Sequence, residues 1–500
     1  MLLILKNRLN KATLRVLALG TFVLLTTSLF HTPPPSQPAP STSLSRRDQI
    51  HLLSLNAVCN THKSHVISYT HSYSPPPFDN PFMRPTPHPQ DDNENNTNLP
   101  PSGVYGSDNL TRLAEFLSHC PVIDVHMSDQ DWNPGYCEDT MAYTKYLQTR
   151  LVPTWIYNTT FNINGTEKNY LEMCPHTAVL FMNHYWDGLP NRTDWPATKK
   201  VIVMPNVEMP EWREPFLLRA DEIICKTRDC RDRHERWFEM YGNPRGARIW
   251  YTRHISSNLS LLADLEAERG GIPSLRPKDF SDDAYYMLHI QGKSPFKGTL
   301  PIIQCWKHRP NLPHLNLIGI WVRDRIEDEL TLSTTQRNLA YAHTHIPLLD
   351  MAVALAEAPV QLCPSEMEGY GHGINQARAA GALVLAPDHA PMRELISPES
   401  GVLVRGVPVE GGEVDGRAQM MVSGSGAAYA LEGMPGLRVK VPAEEVCRGV
   451  DVIRRMGTKE RRRRAERGRA AYVEDALFFE ARMAEIKAVL AKEQRARLDE

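Results

Sequence analysis

Short runs of apolar residues recur along most of the chain, separated by polar stretches long enough to form a helix. These runs are continuous, whereas a strand with one solvated face alternates apolar and polar positions. Continuous runs of this kind are typical of strands that are buried on both faces, as in a parallel sheet. The pattern therefore predicts buried strands at 120–125, 178–182, 200–204, 220–225, 248–251, 286–290, 315–319, 359–363, 382–385 and 401–404.

The alternation of strands with helical stretches predicts the α/β class. Gly270-Gly271 and the prolines that follow divide the strands into two groups. Each group is typical of a doubly wound sheet, so we predict two Rossmann-like domains, at 103–268 and 269–457, that face a cleft. The last segment, 458–500, predicts terminal helices that pack on the body, since its apolar residues share one helical face. These are Phe479, Met483, Ile486 and Leu490.

The N-terminal segment differs from the rest of the chain in charge and hydropathy. No acidic residue precedes Asp48, and basic residues up to Arg15 are followed by an apolar run at 16–30. This order predicts a cytosolic tail at 1–14, a signal anchor at 15–31 and a single-pass type II membrane protein of the Golgi or ER lumen. A cleaved signal and a mitochondrial presequence remain alternatives, because such leaders are also basic and poor in acids.

The segment 32–102 is rich in proline and polar residues. It has too little apolar surface to offset the entropy of an ordered chain, so we predict an extended, mostly disordered stem. The less polar patch at 50–73 is the part of the stem that we expect to be locally ordered. Six Asn-x-Ser/Thr triplets, the first at Asn95 and the last at Asn258, are consistent with the secretory route.

Charge and cysteine content exclude several classes of protein. The 500 residues include 56 Lys and Arg against 58 Asp and Glu, for a net charge of −2, so a nucleic-acid partner held by bulk positive charge is not expected. Nine scattered cysteines, without a Cys-x-x-Cys pair, indicate neither a disulfide-built scaffold nor a structural zinc site.

The most informative stretch follows the strand at 359–363. Over 364–381 the chain reads Pro-Ser-Glu-Met-Glu-Gly-Tyr-Gly-His-Gly-Ile-Asn-Gln-Ala-Arg-Ala-Ala-Gly. Its glycines allow a ligand to approach the start of a helix, where free N–H groups and the helix dipole favour a diphosphate. The stretch therefore predicts a nucleotide-binding turn.

This stretch resembles the donor-binding segment of the GT-B glycosyltransferases related to family 4. Their pattern is Glu-Gly-Phe-Gly with a second Glu eight positions after the first. The resemblance implies that Glu368 contacts the donor sugar as the catalytic residue, and that Gly369, Tyr370 and Gly371 form the donor-binding turn. Gln376 stands where the family has its second Glu, and an amide can still hydrogen-bond a ribose diol without the strength that a charge adds.

A second matching element follows the strand at 286–290. It reads Gln-Gly-Lys-Ser-Pro-Phe-Lys-Gly, with the basic residues at Lys293 and Lys297. Family members carry two such residues, which bind the donor diphosphate, and the resemblance gives that role to this pair. Positive charge at this point is chemically sensible, because negative charge builds on the leaving diphosphate.

The N-terminal half resembles the family more weakly, around 204–210 and 220–227. These segments line the cleft in the family, so Asn206 and Glu208 are candidates for the cleft, as are Lys226 and Thr227. His126 and His184 each follow an apolar strand and are further candidates. For both histidines a purely structural role stays open.

The resemblance implies a glycosyltransferase that moves a sugar from a nucleotide-sugar donor to a glycan, protein or lipid acceptor, with retention of configuration and no cofactor or metal. The anchor would add the membrane as a partner. Two alternatives remain. One is a non-catalytic scaffold of the same fold that binds sugar nucleotides or glycans, which Gln376 favours. The other is a metal site at Asp129-Gln130-Asp131, as in the GT-A fold.

Overall fold

The fold is that of a computed structural model, which describes residues 44–70, 103–130, 134–209, 214–292, 294–307, 309–319, 338–342, 346–409, 434 and 436–499. The described residues belong to one compact unit. The predicted cytosolic tail and anchor, at 1–14 and 15–31, lie outside the described residues.

An eight-stranded sheet forms the N-terminal half, and its central strands are parallel. The sheet order is β10-β9-β8-β7-β3-β4-β1-β2, with β1 and β2 antiparallel at one edge and β5 and β6 paired as a separate hairpin. In chain order the strands are β1 (Val66–Ser68), β2 (Val104–Tyr105), β3 (Ile123–Met127), β4 (Arg150–Pro153), β5 (Thr160–Ile163), β6 (Thr166–Asn169), β7 (Ala178–Met182), β8 (Val201–Met204), β9 (Glu222–Cys225) and β10 (Arg248–Tyr251).

Helices cover this sheet, and local capping fixes several of their ends. The side chain of Asn109 accepts a hydrogen bond from the backbone N–H of Arg112, and Thr227 caps its helix in the same way through Cys230. The helices are α1 (Arg46–Thr61), α2 (Leu110–Ser118), α3 (Pro134–Tyr146), α4 (Tyr170–Met173), α5 (Glu214–Arg219), α6 (Arg228–Tyr241) and α7 (Ser260–Arg269), with 3₁₀ turns at Thr154–Asn158 and Leu189–Asn191.

The C-terminal half is built on a six-stranded parallel sheet of order β13-β12-β11-β14-β15-β16. This is the Rossmann order, and the direction of winding reverses between β11 and β14. A short antiparallel pair, β17 with β18, lies apart from the sheet. The strands are β11 (Met287–Gly292), β12 (Leu315–Gly319), β13 (Leu339–Ala342), β14 (Val360–Leu362), β15 (Leu383–Pro387), β16 (Gly401–Val404), β17 (Val407–Pro408) and β18 (Val439–Lys440).

The last helix of the C-terminal half returns to the N-terminal half. Its side chains Ala476, Phe479, Met483, Ile486 and Leu490 are buried in the core that contains β3 and α3, as the apolar face of the sequence predicts. The described helices of this half are α8 (Thr299–Lys307), α9 (Leu348–Glu357), α10 (His372–Ala379), α11 (Met392–Leu395), α12 (Ala443–Arg455) and α13 (Thr458–Asp499).

Four disulfide bonds cross-link the described chain. They join Cys59 to Cys137, Cys120 to Cys174, Cys225 to Cys230 and Cys305 to Cys447, and they leave Cys363 as a buried free thiol. The cysteines are scattered along the sequence, which argued against a disulfide-built scaffold, but the fold brings these eight together in pairs.

The predicted α/β class with two parallel sheets is confirmed, and each of the ten predicted strands is present. Within the stem predicted over 32–102, the local order expected for the less polar patch at 50–73 is present in its described part. Residues of α1 such as Leu52 and Leu55 are buried in the N-terminal core, and β1 pairs with both β2 and β4. The ordered part begins at Arg46, slightly before the predicted patch, and the stem at 32–43 and 71–102 lies outside the described residues.

The predicted membrane localisation, in contrast, is contradicted. Among the residues that the structure describes, we find no helix with the length and apolar character needed to cross a bilayer. The longest described helix, α13, has 42 residues, but charged side chains occur throughout it. The apolar run on which the prediction rested, at 16–30, is itself shorter than the roughly 20 residues that a bilayer requires. The expectation of a type II protein of the Golgi or ER is therefore withdrawn.

Candidate functional site

A cavity of about 370 Å³ lies between the two halves, where the parallel strands of both sheets end. Loops after β3, β7, β8 and β9 form its N-terminal wall together with the start of α3, and the turn before α10 forms its C-terminal wall. The lining residues are Gln130, Gly135, Tyr136, Asp139, Tyr185, Asn206, Glu208, Met209, Lys226, Glu368, Gly369, Tyr370, Gly371 and His372. Ligands of open α/β sheets bind at this end of the strands.

The glycine turn at 369–371 brings its backbone into the cavity. Gly371 has a φ of +105°, which side chains rarely tolerate. A Cβ on Gly369 would overlap the carboxylate of Glu208 from the opposite wall, so a side chain at this position would force that carboxylate to move. Tyr370 holds the turn in place: its hydroxyl donates to the carbonyl of His254 at 2.7 Å and accepts from Asn375 at 2.7 Å.

Lys297 and Glu368 form an ion pair at the edge of this wall. Lys297 belongs to the loop after β11, and Glu368 to the loop after β14. The loops are fixed against each other at Gly298, where φ is +67° and a Cβ would overlap the carbonyl oxygen of Pro364. The side chain of Lys297 is 25% exposed, so it is not sealed off from a ligand.

The other predicted donor residues have different positions. Lys293 lies outside the described residues. Gln376 is half-buried on α10, one turn beyond the start of the helix, and is not among the described residues that line the cavity.

In the opposite wall, Asn206 and Glu208 both line the cavity, as predicted for the cleft. The Oδ1 atom of Asn206 and the Oε2 atom of Glu208 are buried and have no hydrogen-bond partner within the described part of the chain. Burial raises the pKa of Glu208 to about 7, against the opposing effect of Lys226. Two unsatisfied acceptors in the lining of one cavity are characteristic of a surface that a ligand completes.

A buried charge cluster around Asp139, of which the sequence indicated only Lys226, forms part of this side of the cavity. The Oδ2 atom of Asp139 accepts from Lys226 Nζ at 3.0 Å, and its Oδ1 atom lies 2.7 Å from His254 Nε2 and 3.1 Å from His372 Nε2. Burial opposes ionisation of this carboxyl, but Lys226 and His372 outweigh it and hold the pKa of Asp139 well below its usual range. Asp139 also forms a contact between the halves, because His372 begins α10.

Two groups of side chains have the geometry to hold a metal ion within the described residues. The first is Asp139 with His254 and His372, where Lys226 already provides a positive charge for the carboxylate. The second is Cys225, Cys230 and His234, in which the two cysteines are joined as a disulfide.

The two histidines predicted for the cleft lie beside the cavity and do not line it in the described structure. His126 is buried, with Nε2 at 3.3 Å from Asp187 Oδ2. The ring of His184 packs on Tyr185, with centroids 4.0 Å apart. The cavity histidine is instead His372, at the position after the Gly-Tyr-Gly turn.

Of the remaining N-terminal candidates, one lines the cavity and one has a structural role. Lys226 lines the cavity, whereas Thr227 caps α6. For the alternative metal site, the backbone N–H of Asp129 donates to Thr154 Oγ1 and Asp187 Oδ2, while Asp131 lies outside the described residues.

No protein-family model matches the chain, and no curated protein matches its sequence. Solved structures with a similar fold include a sucrose-phosphate synthase from Thermosynechococcus elongatus, with 15% identity, 70% of this chain and 84% of that chain covered, and a TM-score of 0.46. A glycosyltransferase from Rickettsia africae ESF-5 shows 12% identity, 77% and 93% coverage and a TM-score of 0.44. Anabaena Alr3699/HepE, solved with UDP and glucose, shows 12% identity, 74% and 100% coverage and a TM-score of 0.44. Similarity at this level does not determine an activity, which depends on the residues of the site.

Proposed function

We propose that the protein is a glycosyltransferase that moves a sugar from a nucleotide-sugar donor to a glycan, protein or lipid acceptor. The observation that carries the proposal is the position of Lys297 and Glu368. They follow β11 and β14, the adjacent strands between which the winding of the sheet reverses, and nucleotides bind to open α/β sheets at this switch point.

The local chemistry supports a donor diphosphate beside Gly371. The N-terminus of α10 offers free N–H groups and the positive end of a helix dipole, and Lys297 adds a full positive charge. Without a ligand, Lys297 pairs with Glu368. In the proposed complex Lys297 exchanges this carboxylate for the diphosphate, and Glu368 then accepts hydrogen bonds from the sugar hydroxyls. Lys293 is proposed as a second contact to the diphosphate and Gln376 as the contact to the ribose.

We further propose that the reaction retains configuration at the transferred carbon and does not need a metal ion. Negative charge builds on the diphosphate as its bond to the sugar breaks. Lys297 and the N–H groups of the turn are positioned to stabilise that charge, which is the task a metal ion performs in other transferases. The departing diphosphate can then accept the proton of the acceptor hydroxyl on the same face of the sugar, and this course gives retention.

The test is a thermal-shift and turnover assay of the full chain with a panel of UDP- and GDP-sugars in the absence of metal. We expect one nucleotide to raise the Tm, and Lys297→Ala to abolish the shift. The matched control is Lys459→Ala, which removes the same charge from an exposed position at the start of α13. Failure of every donor to bind to the wild-type protein, or equal binding to both variants, would refute the proposal. Binding only with manganese would favour the site at Asp129.

A non-catalytic sugar-nucleotide-binding or glycan-binding scaffold is the second candidate function. The observation that favours it is Gln376 in place of the carboxylate of the family. The two candidates differ in turnover: a scaffold would bind the donor without releasing nucleotide, and Gln376→Glu would not create activity.

A further inference from the structure

We infer that the acceptor is a carbohydrate, bound through its hydroxyl groups by Asn206 and Glu208 in the N-terminal wall of the cavity. The inference rests on the proposed function, of which it specifies the acceptor. A free saccharide and the end of a glycan would both present the same group, which is a sugar ring with neighbouring hydroxyls.

The N-terminal wall carries a pair of unsatisfied acceptors. Asn206 Oδ1 and Glu208 Oε2 are buried, lie two residues apart after β8, and lack a hydrogen-bond partner among the described residues. Leaving a buried acceptor unpaired is costly, so a binding surface of this kind selects a ligand that brings donors. Neighbouring O–H groups on a sugar ring provide donors for both acceptors.

The same wall also presents two aromatic side chains to the cavity. The rings of Tyr136 and Tyr185 pack edge to face with centroids 5.1 Å apart, and both line the cavity. A sugar ring has an apolar C–H face as well as polar hydroxyls, and a tyrosine likewise combines an apolar ring with a polar end. The wall therefore offers both kinds of contact that a sugar ring can make.

The polar lining and the volume of the cavity disfavour lipid and polypeptide acceptors. The cavity has a carboxylate on each wall, at Asp139 and Glu368, and the ammonium group of Lys226 beside them. An alkyl chain of a lipid would bring no donor to this polar surface and would leave Asn206 Oδ1 and Glu208 Oε2 buried without a hydrogen bond. The volume of about 370 Å³ is near the lower end of the roughly 300–1,000 Å³ of ligand pockets, which suits one or two sugar rings better than a polypeptide segment.

The test measures binding and turnover separately with the full chain. Methyl α-D-glucopyranoside, N-acetylglucosamine and maltose represent saccharides, dodecanol represents lipids, and a serine-containing hexapeptide represents protein acceptors. Direct binding is followed by saturation-transfer NMR without donor, and nucleotide release is followed with the donor that binds. We expect a saccharide to bind directly and to accelerate nucleotide release at least fivefold, and the alcohol and the peptide to do neither.

The variants locate the saccharide. Asn206→Ala and Glu208→Ala should each raise the saccharide KM at least tenfold and leave the donor KM within twofold. Glu208→Gln, which keeps an acceptor oxygen, should retain most of the affinity and guards against loss of folding in the alanine variant. The matched controls are Asn191→Ala and Glu167→Ala, both at exposed positions away from the cavity, which should change neither constant.

Each other outcome has a distinct meaning. If the donor binds and is hydrolysed but no saccharide binds, or if the peptide or the alcohol is the acceptor, the inference is wrong while the proposed function stands. If Asn206→Ala and Glu208→Ala raise the donor KM instead, these residues belong to the donor site and the inference is also wrong. If no nucleotide sugar binds, the proposed function fails, and saccharide binding that depends on Asn206 and Glu208 would then identify a glycan-binding cavity.

Discussion

Asp139 accepts a hydrogen bond from the ammonium group of Lys226 at 3.0 Å, and both side chains are almost entirely buried. The pair joins α3 to the end of β9, directly below the wall that carries Glu208. The second oxygen of Asp139 faces His372 from the other half of the chain. The ion pair therefore supports both walls of the cavity, so we expect its removal to affect stability as well as activity.

Asp139→Asn should lower the free energy of unfolding by about 3 kcal/mol, because removing one partner of a buried ion pair leaves the other charge uncompensated. Urea unfolding measures the effect. The control is Arg276→Ala, which breaks an ion pair with Glu357 at 2.6 Å whose arginine is 79% exposed, and which should cost less than about 1 kcal/mol. Equal costs for the two variants would show that the buried pair does not support the cavity.

Glu208 predicts a pH dependence of stability. Its pKa rises from the usual 4.5 to about 7 on folding, chiefly because the carboxyl is buried. Between these values the folded protein holds a proton that the unfolded chain has released, so the contribution of Glu208 to stability is greatest below pH 4.5 and falls as the pH rises to 7. Glu208→Gln should therefore gain about 1–3 kcal/mol relative to the wild type at pH 8 and little at pH 5. Urea unfolding at both pH values measures the difference, and a gain that does not change with pH would contradict the prediction.

The strands could be predicted from sequence where burial on both faces makes an apolar run continuous, as at Ala178–Met182. The sequence did not reveal β4, because Arg150–Pro153 begins with an arginine and ends with a proline. The structure shows why the arginine is tolerated there: its guanidinium group donates to Asp124 at 3.0 Å and to the carbonyl of Phe116 at 2.8 Å. A buried ion pair of this kind depends on tertiary contacts that hydropathy does not express.

The candidate site also contains some residues that a local sequence pattern marks and others that only the fold brings together. Glu368 and Lys297 stand beside glycines whose backbone conformations are required locally, so a short pattern marks them. Asp139 and His254 have no such neighbours, and only the fold brings them together with His372. A local pattern can therefore indicate the donor turn, whereas the opposite wall depends on long-range contacts.

Gly298 should be essential to the donor turn for steric reasons. Gly298→Ala combines an unfavourable positive φ with an overlap between the new Cβ and the carbonyl oxygen of Pro364, so the loop that carries Lys297 must move. We expect a loss of about 2–5 kcal/mol in unfolding free energy and at least tenfold weaker donor binding.

Gly246→Ala isolates the backbone effect, since φ is +63° and a Cβ there would meet no described atom within 4 Å. It should cost about 1–2 kcal/mol and leave donor binding unchanged. Equal donor binding in both variants would show that the position of the Lys297 loop does not matter.

The disulfide between Cys305 and Cys447 should contribute more to stability than the one between Cys225 and Cys230. The first joins α8 to α12 across a sequence separation of 142, whereas the second spans a separation of 5. A cross-link restricts the unfolded chain more strongly when the loop that it closes is longer, and in the chain-entropy model the stabilisation by these two cross-links differs by about 3 kcal/mol.

Double alanine variants remove two sulfur atoms in each case, so the cavities they leave are comparable. Urea unfolding of the two double variants should therefore show the larger loss for Cys305→Ala with Cys447→Ala. Addition of dithiothreitol should bring the wild-type protein below both variants, because it also cleaves the bonds that each variant retains. If the short-loop variant lost as much stability as the long-loop variant, loop-closure entropy would not be the main contribution of these bonds.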